Sequence, residues 1–397
     1  MVPPFRRPVC VIAALTLFSV TGCAGAAISA SEGGAAGGPL KIGVIVPLTG
    51  PIAQSGAALR QGFELGVAKV NDAGGVGGKK VEFVVVDDAG DPANSTQLAR
   101  RLIQQDKVTA LFGTITGDTA EAVAKVSDDS KIPFFTAILG DPEQCRAYQW
   151  GFGESTRQLL APMVPKLLQK YGKRVAIVGS DYNYPHIYAG LSKDFTAANG
   201  GTVVAEEYSP LGQTDWQPVI ARLKAAQPDV LLSMVVGADA IAFSQQAQQF
   251  GLLTEKLGFE GAPLDSDYYP ALGALTTGRT HAVRWADGMT DPASRQFVQD
   301  YQAKYQWKAP IPEVAGSAYF GVQFVLAAAA KAGTDPVALN REIGSFRHDS
   351  PLGTGTHFAP ANHILQADMT EAAITPAGYT VAAKFGPVAD TVPRTGC

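Results

Sequence analysis

From Lys41 onward, short runs of branched apolar residues alternate with amphipathic stretches, and the alternation restarts halfway along the chain. Ile42 to Val46 reads as a strand ending in the turn Pro47 to Pro51, and Leu59, Phe63, Val67 and Val70 then share one helical stripe. A glycine-rich stop over 71–78 precedes Val81, Phe83 and Val85, which alternate as a strand ending at Asp87-Asp88. Asp91-Pro92 caps the next helix, 108–112 is a strand, 118–128 a helix and 132–136 a strand. After a connector over 150–156 the order recurs: helix 157–171, strand 174–179, helix 184–199, strand 202–208, helix 215–226, strand 229–236 and helix 238–250. Strands and helices at this spacing predict parallel sheets wrapped on both faces. The last hundred residues carry long helices over 291–305 and 312–331, a short one near 336–345, and a polar β-rich tail over 357–385.

The N-terminus fixes the compartment. Arg6 and Arg7 precede an apolar run from Val9 to Val20, too short to span a bilayer, which reads as the h-region of a leader. Val20-Thr21-Gly22-Cys23 resembles the bacterial lipobox, which implies cleavage before Cys23 and its acylation; a coincidental cysteine behind an ordinary leader is the alternative. Residues 1–22 are then a lipoprotein signal peptide and 23–39, rich in Ala, Gly and Ser, a flexible tether. No later run reaches the ~18 apolar residues of a membrane helix. Roughly 360 residues remain to fold, which suits two domains. The net charge of −4 falls to −6 with the loss of Arg6 and Arg7, and no basic cluster offers a footprint for nucleic acid. Cys10 leaves with the leader, so Cys145 and Cys397 remain either to pair as a bridge or to stand as free thiols; spacing does not choose.

Motifs for chemistry are missing. Gly74 to Lys80 lies between a helix and a strand, the reverse of a phosphate cradle, and no Ser or Thr follows its lysines to hold a metal ion. The five histidines show no metal spacing, and Asp87-Asp88 reads as a capped strand end. No nucleophile, base and oxyanion donor assemble, so neither an enzyme, a cofactor nor a metal is expected.

Lys41 to Pro51, the turn from Val70 to Gly78 and Asp87 at a strand end resemble the leucine/isoleucine/valine-binding protein family, the solute receptors of ABC importers. Val178 to Pro185, Gly200 to Gly212, Pro228 to Leu232, Pro292 to Phe297 and Ala361-Asn362-His363 are similar to its urea and short-chain-amide branch. The resemblance implies a type I periplasmic binding fold: two doubly wound, Rossmann-like α/β lobes joined by three crossovers. Lobe one is then 40–154 with 283–350, and lobe two 155–282 with 351–397.

Ligands in open α/β sheets lie beyond the carboxyl ends of the strands. The residues expected there are Thr49, Thr116, Gly117, Thr136 and Ala137 in lobe one, and Tyr182, Tyr184, Asp239 and Asp265 in lobe two. N–H groups at Thr116 and Gly117 suit a carboxylate or carbonyl oxygen, the tyrosines suit a cover, and the aspartates an ammonium or amide N–H. For each, a cap or turn role is the alternative. Gly117 stands where amino-acid receptors tend to place a serine, Ile115 and Thr136 where the amide branch has tyrosines, and Ser55 where some leucine-type receptors have tryptophan. A wall short of polar side chains argues against urea and for an amino acid, an amide or a small aromatic acid. The resulting expectation is a monomeric receptor, anchored outside the cytoplasmic membrane and feeding an ABC permease, without nucleic acid. The alternative is a ligand-sensing receptor that docks a regulatory partner.

Overall fold

A computed structural model describes residues 38–138, 145–261, 265–308 and 310–397. The first lobe opens with β1 (Lys41–Val46), α1 (Ala53–Asp72), β2 (Glu82–Asp87), α2 (Pro92–Gln104), β3 (Ala110–Gly113), α3 (Gly117–Ser130), β4 (Phe134–Thr136) and β5 (Gln149–Gly151). These strands form one parallel sheet in the order β2-β1-β3-β4-β5. Asp91 caps α2 as expected, its side chain accepting the Asn94 N–H at 2.7 Å. The connector over 150–156 carries the short strand β5, which alternation alone did not reveal.

The second lobe continues with α4 (Thr156–Lys170), β6 (Arg174–Ser180), α5 (Asn183–Ala198), β7 (Thr202–Ser209), α6 (Gln217–Ala225), β8 (Val230–Met234), α7 (Ala238–Gln249), β9 (Gly258–Gly261), α8 (Asp265–Leu272) and β10 (Thr280–Val283). Its parallel sheet runs β7-β6-β8-β9, repeating the first four positions of lobe one. In both sheets the order reverses beside the first strand, between β1 and β3 and between β6 and β8. Such switch points open a crevice at the carboxyl ends of the strands.

The chain then returns to lobe one as α9 (Pro292–Tyr305), α10 (Glu313–Ala332) and α11 (Pro336–Ser345). Helix α10 has mean hydropathy 1.3 and a length that would cross a bilayer, a run the sequence reading did not single out. Most of it is buried, so its apolar character belongs to the core. It packs on α1 so closely that a Cβ on Gly62 would overlap the Ala315 backbone oxygen. The tail forms β11 (His348–Ser350), β12 (Gly353–Phe358), β13 (Leu365–Gln366), β14 (Asp368–Thr375) and β15 (Gly378–Pro387). β14 and β15 extend an antiparallel sheet from β10 of lobe two, whereas Phe358 at the end of β12 packs on Trp150, Phe152 and Phe324 of lobe one. The segment 351–397 therefore divides its contacts between the lobes.

The chain passes between the lobes near 152–155, 284–291 and 366–368, and one buried knot ties the crossings together. The Arg284 N–H donates to Glu154 Oε1 at 2.8 Å, and Arg284 Nη2 donates to Gln158 Oε1 at 2.6 Å and to the Leu365 oxygen at 2.9 Å. Gln158 also completes the capping box of α4 with Ser155, which sets where that helix leaves the crossover.

Candidate ligand cleft

The switch points of the two sheets face each other. After β3 the chain turns through Thr114, held at φ +22°, before α3 begins at Gly117. A non-glycine residue at positive φ is uncommon and concentrates at functional turns. Thr114 is 1% exposed, and its hydroxyl has no hydrogen-bond partner among the described residues. Thr116 is the N-cap of α3, but its hydroxyl meets Thr119 Oγ1 at 2.9 Å in place of a backbone N–H. The Gly117 and Asp118 N–H groups at the start of α3 thus receive no cap from the Thr116 side chain.

Across from them stands the start of α5. A Cβ on Gly117 would lie 2.5 Å from Asn183 Oδ1, so the glycine lets the two helix starts meet. Asn183 Oδ1 is itself buried with no partner among the described residues. Burial, reinforced by the nearby Asp118 carboxylate of lobe one, pushes the Tyr182 hydroxyl well above its ordinary pKa. Tyr184 is 3% exposed and accepts a hydrogen bond from Thr156 Oγ1 at 3.2 Å, placing its hydroxyl at the first crossover. Thr136 and Ala137 are buried at the end of β4, with Thr136 Oγ1 3.4 Å from the Trp150 oxygen.

Other expected residues are engaged within their own lobes. Thr49 is exposed and donates to Asp87 Oδ2 at 2.8 Å, while Asp87 Oδ1 accepts the Leu48 N–H at 2.8 Å. Asp87 therefore shapes the β1–α1 loop as a capped strand end. Asp239 is buried in the first turn of α7, and its Oδ2 accepts the Gly212 N–H at 2.8 Å. Burial raises its pKa while the Gly212 and Gln213 N–H groups lower it, so its carboxylate braces the loop after β7. Asp265 begins α8, and its side chain lies outside the described residues, as does Cys23.

Five polar residues, Ser55, Glu154, Ser266, Asp267 and Glu313, meet where the lobes touch, and Glu154 and Glu313 carry no local sequence signal of it. Ser55 Oγ of α1 donates to Asp267 Oδ2 of α8 at 2.7 Å. The Glu313 N–H, at the start of α10, donates to Ser266 Oγ at 3.2 Å. The Ala238 N–H, at the start of α7, donates to the Pro51 oxygen at 2.9 Å. Glu154, Asp267 and Glu313 are each no more than 1% exposed. Burial raises the Glu313 pKa far above the carboxylate range, the charges of Glu154 and Asp267 and a hydrogen bond with Glu154 raise it further, and Ser317 opposes the shift. The lobes therefore meet through a carboxyl-rich centre drawn from both lobes and the hinge. A cavity of about 820 Å³ lies elsewhere, against the C-terminal half of α4 and the segments 253–259 and 274–280. It adjoins the amino ends of the lobe-two strands, away from this centre.

Comparison with known proteins agrees with the architecture. The periplasmic binding protein family matches residues 39–378. The chain is 28% identical over 330 residues to Leu/Ile/Val-binding protein homolog 3 of Brucella melitensis, covering 80% of this chain and 87% of that one. It is 26% identical over 351 residues to homolog 7 of Brucella suis, covering 83% and 88%. A solute-binding protein of an ABC transporter from R. palustris, solved with benzoate, superposes with a TM-score of 0.79 at 22% identity over 91% of this chain and 99% of that one. Another, from Rhodopseudomonas palustris BisB5 with 3,4-dihydroxy benzoic acid, gives 0.78 at 25% identity over 89% and 98%.

A two-lobed α/β receptor with facing switch points is the class that fold and cleft define. This chain belongs to the periplasmic binding protein family, which places it outside the cytoplasmic membrane.

Proposed function

We propose that this protein is the lipid-anchored solute receptor of an ABC importer. Its lobes close on a small solute that carries an amine or amide N–H at one end and a carboxylate or carbonyl oxygen at the other. The observation that carries the reading is the meeting of Asp267, Glu313 and Glu154 where the lobes touch, together with the approach of the helix starts at Gly117 and Asn183 across the same two lobes. Buried carboxyl groups favour a ligand that donates hydrogen bonds, and helix N-termini favour one that accepts them.

Within this reading Thr116, Gly117, Thr136 and Ala137 form the oxygen-binding wall, and Tyr182 and Tyr184 cover the solute. Asp267, with Asp265 at the start of the same helix, takes the N–H end; Thr49 and Asp239 shape the loops around it. Cys23 carries the lipid, 23–39 is the tether, and the mature protein acts as a monomer. The likeness of 178–185 and 200–212 to the amide branch, and the Leu/Ile/Val-binding relatives, support an amino acid or short amide. An aromatic acid is a second reading, favoured by the relative solved with 3,4-dihydroxy benzoic acid.

Solute bridging both walls binds the closed arrangement better than the open one and shifts that equilibrium, which is what a permease would read. A thermal-shift screen of the mature chain with amino acids, short amides, urea and aromatic acids tests the reading. Solute at 100 times its dissociation constant adds about 2.7 kcal/mol of stability. An amine or amide that raises the melting temperature of the wild type but not of Asp267→Ala supports the reading. A response to aromatic acids alone moves it to the second reading, and silence across the panel moves it to a receptor that docks a regulatory partner.

A further inference from the structure

The tail beyond β15 does not end in lobe two. From Val388, whose oxygen accepts Gln158 Nε2 at 3.0 Å, it runs back along the third crossover. The Asp390 N–H donates to Gln366 Oε1 at 3.1 Å, Asn362 Nδ2 donates to the Asp390 oxygen at 3.0 Å, and the Arg394 N–H donates to the Ala361 oxygen at 3.0 Å. At its end the Cys145 N–H donates to the Thr395 oxygen at 3.1 Å, and Cys397 is joined to Cys145 in a disulfide with the Cα atoms 5.1 Å apart. The stretch it follows is also paired to the first crossover, where the Gly151 N–H donates to the His363 oxygen at 2.9 Å. Cys145 and Cys397 are 252 positions apart, so the closed ring encloses the whole of lobe two.

We propose that this tail is a covalent strap across the hinge, a fourth link that holds the lobes toward their closed arrangement and is released by thiol reduction. Three crossovers leave lobe two free to rotate about a bundle of backbone. The strap leaves lobe two's last strand, runs along 361–366, which is itself bound to lobe one through Gly151 and His363, and ends at Cys145, so rotation of lobe two must strain its link from β15. The strap's hydrogen bonds are made in the arrangement where Ala238 touches Pro51 and Asp267 touches Ser55, and the strap stabilises that arrangement selectively. A dithiol supplies the release: its thiolate attacks one cystine sulfur, and the other protein sulfur leaves and takes a proton. The reductant's second thiol then displaces the mixed disulfide, leaving two protein thiols and an oxidised reductant. An extracytoplasmic compartment keeps the strap closed unless such a reductant is present.

The proposal rests on the hinge and on no particular solute, so it is tested on the ligand-free chain. Small-angle scattering compares the oxidised protein, the protein in dithiothreitol, and the Cys145→Ser/Cys397→Ser variant, with near-UV ellipticity checking tertiary packing. A larger radius of gyration with packing retained, in both the reduced protein and the variant, is the expected result. Where a solute is known, its affinity falls roughly three- to tenfold in step, as the competent fraction shrinks. An unchanged radius in both overturns the proposal. Global unfolding on reduction overturns it too, because the cystine would then hold the core and not the hinge.

Discussion

Ser55 Oγ donates to Asp267 Oδ2 over 2.7 Å, joining α1 of lobe one to α8 of lobe two inside a fully buried contact. Removing the hydroxyl deprives a buried carboxyl of a donor, which costs about 1–3 kcal/mol. The contact exists only when the lobes touch, so the cost falls on closing and not on the stability of either lobe. Ser55→Ala is expected to weaken solute binding roughly five- to hundredfold, read by calorimetry. The melting temperature of the ligand-free protein should change less than the affinity does.

Gly117 makes another contact between the lobes, and its lack of a side chain is the condition for it. A methyl group 2.5 Å from Asn183 Oδ1 must displace that carboxamide or push α3 and α5 apart. Gly117→Ala should reduce affinity by about tenfold, of the order that overpacking a close contact produces. Asn183→Ala in the same chain removes the obstructing carboxamide and should restore part of the loss. Failure of that rescue would place the effect in α3 itself.

Glu313 sets a pH dependence with a definite sign. Its native pKa is raised, so the native state holds this proton more tightly than the unfolded chain does. The resulting stability is complete below the ordinary carboxylate range and is lost as pH rises toward the elevated native value. Asp287 acts in the same direction, burial having pushed it up to about 6, so its share of the loss is finished near that pH. Chemical denaturation from pH 4 to 8 should show Glu313→Gln gaining on the wild type as pH rises, and still gaining above pH 6. Parallel curves would contradict the assignment.

The packing of α1 on α10 gives a control outside the cleft. A Cβ on Gly62 meets the Ala315 backbone oxygen, which cannot move aside as a side chain tip can. Gly62→Ala should destabilise the ligand-free protein by about 1–3 kcal/mol. Urea denaturation reads this directly, and solute affinity per folded molecule should be unaltered.

The alternating pattern made the sheets legible because each strand carries branched apolar residues and each helix a stripe of them. The order of elements from β1 to α7 could be read with boundaries shifted by only a few residues. β5 escaped because three residues, Gln149 to Gly151, carry no period, and α8 because its Asp, Ser, Tyr and Pro residues show no apolar stripe. Thr116, Gly117 and Tyr182 were legible as cleft candidates from one rule, that ligands sit where strands end. Glu154 and Glu313 were not, since each looks locally like an ordinary helix-start or turn residue, and the pairing of Ser55 with Asp267 was equally hidden. Their meeting depends on lobe–lobe geometry, which local pattern does not encode.

Closure of two lobes on a small solute changes the size of the molecule, which solution scattering with and without solute reads. The ligand-free protein should have a radius of gyration larger than that of the closed structure, and a saturating amino acid or short amide should contract it. Ser55→Ala should need more of the same solute to reach the same contraction. A solute that binds tightly while leaving the radius unchanged, in wild type and variant alike, would show that the lobes do not close on it.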